Sequence, residues 1–179
     1  MSTKLRVYCR FSYLHCWEPA GINGSEPKYS VSAIIPKSDT ETINQIKKAV
    51  DDAISEGITS LWGGKKPTSL KLPLRDGDIE RPNDEAYKGC YFFNANSNQA
   101  PQVVDRMKKT ITDHNEVYSG CYGNISVTIY PFNSQAQKGV AVGLGNIQKI
   151  RDGESLGGRT TADEDFDVVT TEDDDDFLS

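Results

Sequence analysis

The chain has 179 residues, 36% of them hydrophobic and 26% charged, and a mass of 19.8 kDa. That is enough for one domain with its own core, and no apolar run reaches the roughly 20 residues of a membrane span. The net charge of -6 hides an asymmetry: residues 160–179 hold nine acids and no base, and the remainder carries 20 basic and 17 acidic residues, a net +3. Body and tail are therefore read separately, and an overall acidic balance does not exclude a nucleic-acid partner for the body.

MSTKLRVYCRF has no apolar signal-peptide stretch, so the expected location is the cytoplasm. Cys9, Cys16, Cys90 and Cys121 form no CxxC pair, and with His15 and His114 they lack the ligand spacing of a zinc finger or ribbon. Buried thiols are expected, and no metal or cofactor.

In chain order, LRVYCRF alternates. Leu5, Val7, Cys9 and Phe11 point one way and Lys4, Arg6, Tyr8 and Arg10 the other, the period of a half-buried strand. Its outward face sets three cations around one aromatic ring, which suits phosphates and a stacked base. KYSVSAIIP at 28–36 is a second strand, with Tyr29, Val31, Ala33 and Ile35 on one side. The spacing of Ile43, Ile46, Val50 and Ile54 predicts an amphipathic helix over 39–56, opened by a Ser38–Glu41 capping box and ended by Gly57.

Residues 62–89 read as a long loop bearing Lys65, Lys66, Lys71, Arg75, Arg81 and Lys88. GCYFFNANS is a strand with Tyr91 and Phe93 opposite Phe92, although a one-residue slip would exchange the faces. QVVDRMKKTI suits either a strand or a turn of helix. VYSGCYGNISVTIYPF places Tyr118, Tyr122 and Tyr130 opposite Cys121, Ile125, Val127 and Ile129, and GVAVGLGNIQKI adds a last strand. Five or six strands, one main helix and no βαβ alternation predict a mostly β barrel with a helical insertion and long loops. Residues 1–151 form the expected domain and 152–179 a disordered acidic tail.

No catalytic constellation stands out. Neither histidine lies beside a serine or cysteine motif, GKKPTS lacks phosphate-loop spacing, and GLGNIQ is no dinucleotide fingerprint. Asp76 and Asp78 in LRDGDIE fit a turn between strands at least as well as a metal site. Single-stranded nucleic acid, by contrast, needs cations along a groove and aromatic faces under the bases. Candidate phosphate contacts are Lys4, Arg6, Arg10, Lys65, Lys66, Lys71 and Arg75. Candidate base platforms are Tyr8, Trp62, Tyr91, Phe93, Tyr118 and Tyr122. Core packing competes for every one of those rings. The tail is expected to lie across the cationic groove and compete with phosphates. In addition, Asp173, Asp174, Asp175, Asp176, Phe177 and Leu178 form a charged, aromatic-anchored peptide for partner proteins.

PKYSVSAIIPKSD, LPLRDGD, YKGCYFFNANSNQAPQVVD, VYSGCYGNISVTIYPFN and KGVAVGLGNIQKIRDGESLGG together resemble the bacteriophage single-stranded DNA-binding proteins with an OB fold. The resemblance implies a non-enzymatic OB barrel that coats single-stranded DNA in phage replication or recombination, in the cytoplasm of a bacterial host. It also implies an acidic C-terminus that moderates DNA binding and contacts phage or host replication proteins, no membrane, and homodimers as well as monomers. Here Phe177 is followed by Leu178 and Ser179, a departure from a terminal phenylalanine. Two rival readings are an OB-fold adaptor with weak DNA binding and a metal-dependent nuclease using Asp76 and Asp78.

Overall fold

The computed structural model describes residues 3–21 and 26–156. In chain order the elements are β1 (Thr3–Ala20), β2 (Lys28–Pro36), α1 (Thr40–Ser60), β3 (Arg75–Asp76), α2 (Gly77–Glu80), β4 (Cys90–Ser97), β5 (Val103–Val104), β6 (Tyr122–Asn133) and β7 (Lys138–Arg151). The long β1 pairs with β6 over its first half, Thr3 opposite Ile129 to Arg10 opposite Tyr122, and with β2 over its second. β2 continues to β4, β7 runs antiparallel to β6, and a parallel bridge between Asn96 and Gly143 joins β4 to β7. The cycle β1-β2-β4-β7-β6 closes as the five-stranded OB barrel, so the expected fold class holds. β3 and β5, two residues each, are additions at its edges.

Alternation dictates the core. Val7, Cys9, Phe11, Val31, Ala33, Ile35, Phe93, Ala95, Ile125, Val127, Ile129 and Ile147 fill the barrel, and α1 adds Ile43, Ile46, Ala49, Val50 and Ala53 to the same cluster. The helix therefore sits between β2 and β4 as an insertion that packs on the barrel. Its first turn is capped by Asp39, whose carboxylate accepts from the Thr42 N–H at 3.3 Å, in place of the Ser38 box. Nor does Gly57 end the helix, which runs to Ser60. A Cβ at Gly57 would lie 2.5 Å from the Trp62 ring, so glycine is required here for close approach and is not a breaker.

Both faces of β2 and β4 are covered, which the sequence pattern does not reveal. On the outer side Tyr87 packs edge-on against Phe92 at 5.0 Å, beside Ile34, and its hydroxyl pairs with Ser32 at 2.9 Å. Phe92 and Phe93 are thus both core, in two different clusters. The ambiguous QVVDRMKKTI segment becomes β5, parallel to β7, followed by a tight turn. Cys9, Cys16 and Cys121 are buried free thiols and Cys90 is half-buried.

Residues 152–156 still run along the body. Leu156 N–H donates to the Ser119 carbonyl at 2.8 Å, and the Glu154 carbonyl accepts from Arg10. The remainder of the predicted tail, with Asp173 to Leu178, lies outside the described residues. Among the described residues no helix is long and apolar enough to cross a membrane.

Candidate nucleic-acid interface

The outward side chains of the first half of β1 are those the alternation predicts: Lys4 and Arg6 are exposed and Tyr8 is 38% exposed. Register brings their neighbours into line. Tyr8 faces Asn124 and Arg10 faces Tyr122 on β6, which in turn face Gln148 and Arg151 on β7. The Arg151 guanidinium lies 4.0 Å from the Tyr122 ring centre, and its Nε donates to the Tyr8 hydroxyl at 3.4 Å. That hydrogen bond holds the charged form and raises the Arg151 pKa further. Arg10 lies 5.3 Å from the same ring.

Arg10 is anchored as well as displayed. Its Nε donates to the Gly120 carbonyl at 3.2 Å and its Nη2 to the Glu154 carbonyl at 2.8 Å. Gly120 permits this approach: its φ is +119°, and a Cβ there would collide with the Glu154 carbonyl. The result is a cleft of ≈ 270 Å³, floored by Ile34, Pro36 and Cys90 and rimmed by Tyr8, Arg10, Tyr122 and Arg151. Burial raises the Cys90 thiol pKa, which favours the protonated form, and its Sγ donates to the Lys88 carbonyl at 3.4 Å. Two guanidinium planes and two phenol rings, against the single carboxylate of Asp39 in the same lining, can stack bases and neutralise phosphates.

The other predicted contacts are dispersed. Lys65, Lys66 and Lys71 are exposed, but Lys71 is bridged to Gly139 and Leu61 is tied to Asn133, so these lysines sit at the β6–β7 hairpin end, away from Arg10. Arg75 donates to Glu80 at 3.4 Å. Tyr118 is half-buried beside the Gly153 carbonyl at 3.0 Å and Asp152 at 3.2 Å, and burial pushes its phenol up to about 12.

Two expected base platforms, Trp62 and Phe93, are corrected, and a third, Tyr91, is half-buried. Trp62 is only 6% exposed, with its ring over Gly57 and its Nε1 donating to the Phe132 carbonyl, so a loop position did not keep it in solvent. Phe93 is 1% exposed in the barrel core. Tyr91 shares that inward parity and packs on the core beneath the Lys37 and Lys47 ammonium groups, each 5.3 Å from its ring. The turn expected at Asp76 and Asp78 is instead the cap of α2, and both carboxylates hold the Lys37 ammonium at 2.9 Å or less. Hydrogen bonds, first to Asp76 and then to Asp78, raise the Lys37 pKa. The Gly89 N–H, and then Lys37, lower that of Asp78. Lys37 thus offsets one of the two carboxylate charges, and the Gly89 N–H at 2.9 Å binds the second oxygen of Asp78.

Sequence reasoning missed Arg151. The signal was present in the alternation of the last strand, but a register shift pairs Tyr122 with Arg151 and Gly123 with Lys149, leaving Ile150 bulged and its neighbour re-aimed.

Over residues 2–178 the sequence matches the protein family described as Enterobacter phage Enc34, ssDNA-binding protein. Protein p50 of Acyrthosiphon pisum secondary endosymbiont phage 1 is 30% identical over 182 residues, 95% of each chain. Among solved structures, the single-stranded DNA-binding protein from bacteriophage Enc34 in complex with ssDNA is similar at a TM-score of 0.72 and 27% identity, over 86% of this chain and 89% of that one. The fold is shared also with gp2.5, a single-stranded DNA-binding protein encoded by bacteriophage T7, at a TM-score of 0.62 and 15% identity, over 95% and 100% of the two chains.

Proposed function

The chain belongs to the Enc34 family of phage single-stranded DNA-binding proteins, and from that premise we propose that it coats single-stranded DNA without general sequence preference during phage replication or recombination, in the host cytoplasm. The observation that carries this reading is the Tyr8–Arg151–Tyr122–Arg10 cluster, where rings and guanidinium groups share one outward face of the barrel. In this reading Lys4, Arg6, Arg10 and Arg151 meet phosphates, while the Tyr8 and Tyr122 rings and the guanidinium planes meet bases. Such binding makes and breaks no covalent bond. The body, residues 1–151 as a domain with the segment after it attached, supplies the groove. The acidic segment that includes Asp173, Asp174, Asp175, Asp176, Phe177 and Leu178 competes for it and, when displaced, offers a peptide to replication proteins.

The test is a titration of the full chain with labelled oligo(dT) between about 50 and 200 mM salt, with duplex and RNA competitors. Four phosphate-facing cations give an expected log–log slope of about -3 and a loss of roughly 50-fold across that range. A chain that leaves oligo(dT) unbound at the lowest salt would refute the groove and return the adaptor reading.

A further inference from the structure

The cleft beside Tyr8 does not stop at Arg10. Ala86 borders both it and a second cleft of ≈ 360 Å³, whose lining includes Ser12, Tyr13, His15, Asp84 and Ser119. Tyr13 and Asp84 in turn border a third, ≈ 420 Å³, on the side of Arg81. Three neighbouring clefts therefore succeed one another along β1, with Tyr13 on the wall shared by the last two.

Tyr13 is held there against local preference. Its φ is +45°, a left-handed conformation that a bulky aromatic residue rarely adopts. It lies where the β1–β2 pairing shifts register between Ser12 and His15, and a bulge of this kind re-aims a side chain. The residue is 54% exposed. The Arg81 guanidinium backs it at 5.1 Å, with the same group 4.9 Å from Tyr87 and 5.0 Å from Phe92. Arg81 Nε is buried without a hydrogen-bond partner among the described residues. A strained backbone and an unsatisfied buried donor both oppose folding, and such features concentrate at functional sites.

We propose that Tyr13, backed by Arg81, is a nucleobase subsite. A base enters the ≈ 360 Å³ cleft and stacks on the ring face that Arg81 leaves free. The inference rests on the reading that the β1 groove holds single-stranded DNA, and it assigns that groove a second station with a base preference. Phosphate is disfavoured here, because three carboxylates, those of Glu80, Asp84 and Glu85, line the adjoining section against the one guanidinium of Arg81. Asp84 is fixed by accepting the Ala86 N–H through Oδ1 at 3.1 Å, which leaves its other oxygen to accept from a base. Cytosine N4, adenine N6 and guanine N2 carry amino donors, whereas the only donor of unpaired thymine, N3–H, is flanked by two carbonyls that repel a carboxylate. Amino-bearing bases are therefore preferred at this station.

The experiment compares oligo(dC) with oligo(dT) on the full-length wild type and on Tyr13→Asn, Tyr13→Phe, Asp84→Asn and Tyr8→Ala. Asparagine tolerates a positive φ better than tyrosine, so Tyr13→Asn removes the ring without lowering the melting temperature. The expected result is a loss of about 5- to 100-fold on oligo(dC) with an unchanged salt slope, and near-wild-type binding by Tyr13→Phe. Asp84→Asn keeps an oxygen to accept from the Ala86 N–H yet turns an amino donor toward the base. It is expected to abolish or reverse the preference for oligo(dC). If Tyr13→Asn binds both oligomers like the wild type while Tyr8→Ala weakens them, the subsite is refuted and the groove stands. A lowered melting temperature in Tyr13→Asn with intact affinity would make the residue structural only. If the wild type binds neither oligomer, the groove reading itself has failed.

Discussion

Trp62 and Tyr8 exchange the roles that exposure rules suggest for them. A tryptophan beside GGKK looks like a ligand contact, yet its indole is satisfied by the Phe132 carbonyl at 3.2 Å and closed over Gly57, so most of its surface is already used. Tyr8, half exposed on a regular strand, keeps a ring for a ligand and fixes it through Arg151. The two substitutions should separate cleanly. Trp62→Ala is expected to cost about 3–5 kcal/mol in chemical denaturation and to leave the ssDNA affinity of the folded protein unchanged. Tyr8→Ala should change stability by no more than about 1 kcal/mol and weaken oligo(dT) binding about 5- to 100-fold. Loss of affinity in Trp62→Ala at full folding would reopen the loop as a contact.

At the scale of elements, α1 shows a local rule overruled by its surroundings. Propensity alone says that Gly57→Ala strengthens a helix by about 1 kcal/mol. The added Cβ, however, meets three Trp62 ring atoms at 2.5–2.7 Å, and neither the ring nor the helix backbone can move freely. Gly57→Ala is therefore expected to destabilise by about 1–3 kcal/mol, read as a lower denaturation midpoint at constant m-value. The strands divide in the same way. The period-two pattern of β1 and β6 is legible because one of their faces is core and the other is not. In β2 and β4 the segment around Tyr87 buries the second face, so Ile34 and Phe92 are as apolar as Ala33 and Phe93 and parity cannot be read from the letters.

For the whole molecule, the relevant quantity is the separation of charge along the chain. A net +3 body and nine acids after residue 160 attract each other, and the attraction is weakened by salt. A chain ending at Gly158 is expected to bind oligo(dT) several-fold more tightly than the full chain at low ionic strength. That gap should close near 1 M salt, where the screening length is roughly 3 Å. A gap that persists at high salt would mean that the acidic segment acts other than by charge.

Composition and spacing by themselves determined the fold class, the outward cations and ring of β1, the outward Tyr122 and the acidic segment's charge. Each of these is a local property: a period, a count or a run. Only the tertiary structure decided that Trp62, Tyr91 and Phe93 turn inward, that Arg151 joins Tyr8 and Tyr122, and that Lys65, Lys66 and Lys71 stand apart from them. It alone also placed Tyr13 over Arg81. Those facts depend on strand register, on two bulges and on which distant segment covers a given face. They are set by pairings between residues tens to more than a hundred positions apart, such as Arg10 with Glu154 and Arg151 with Tyr8, and no window of the chain contains them.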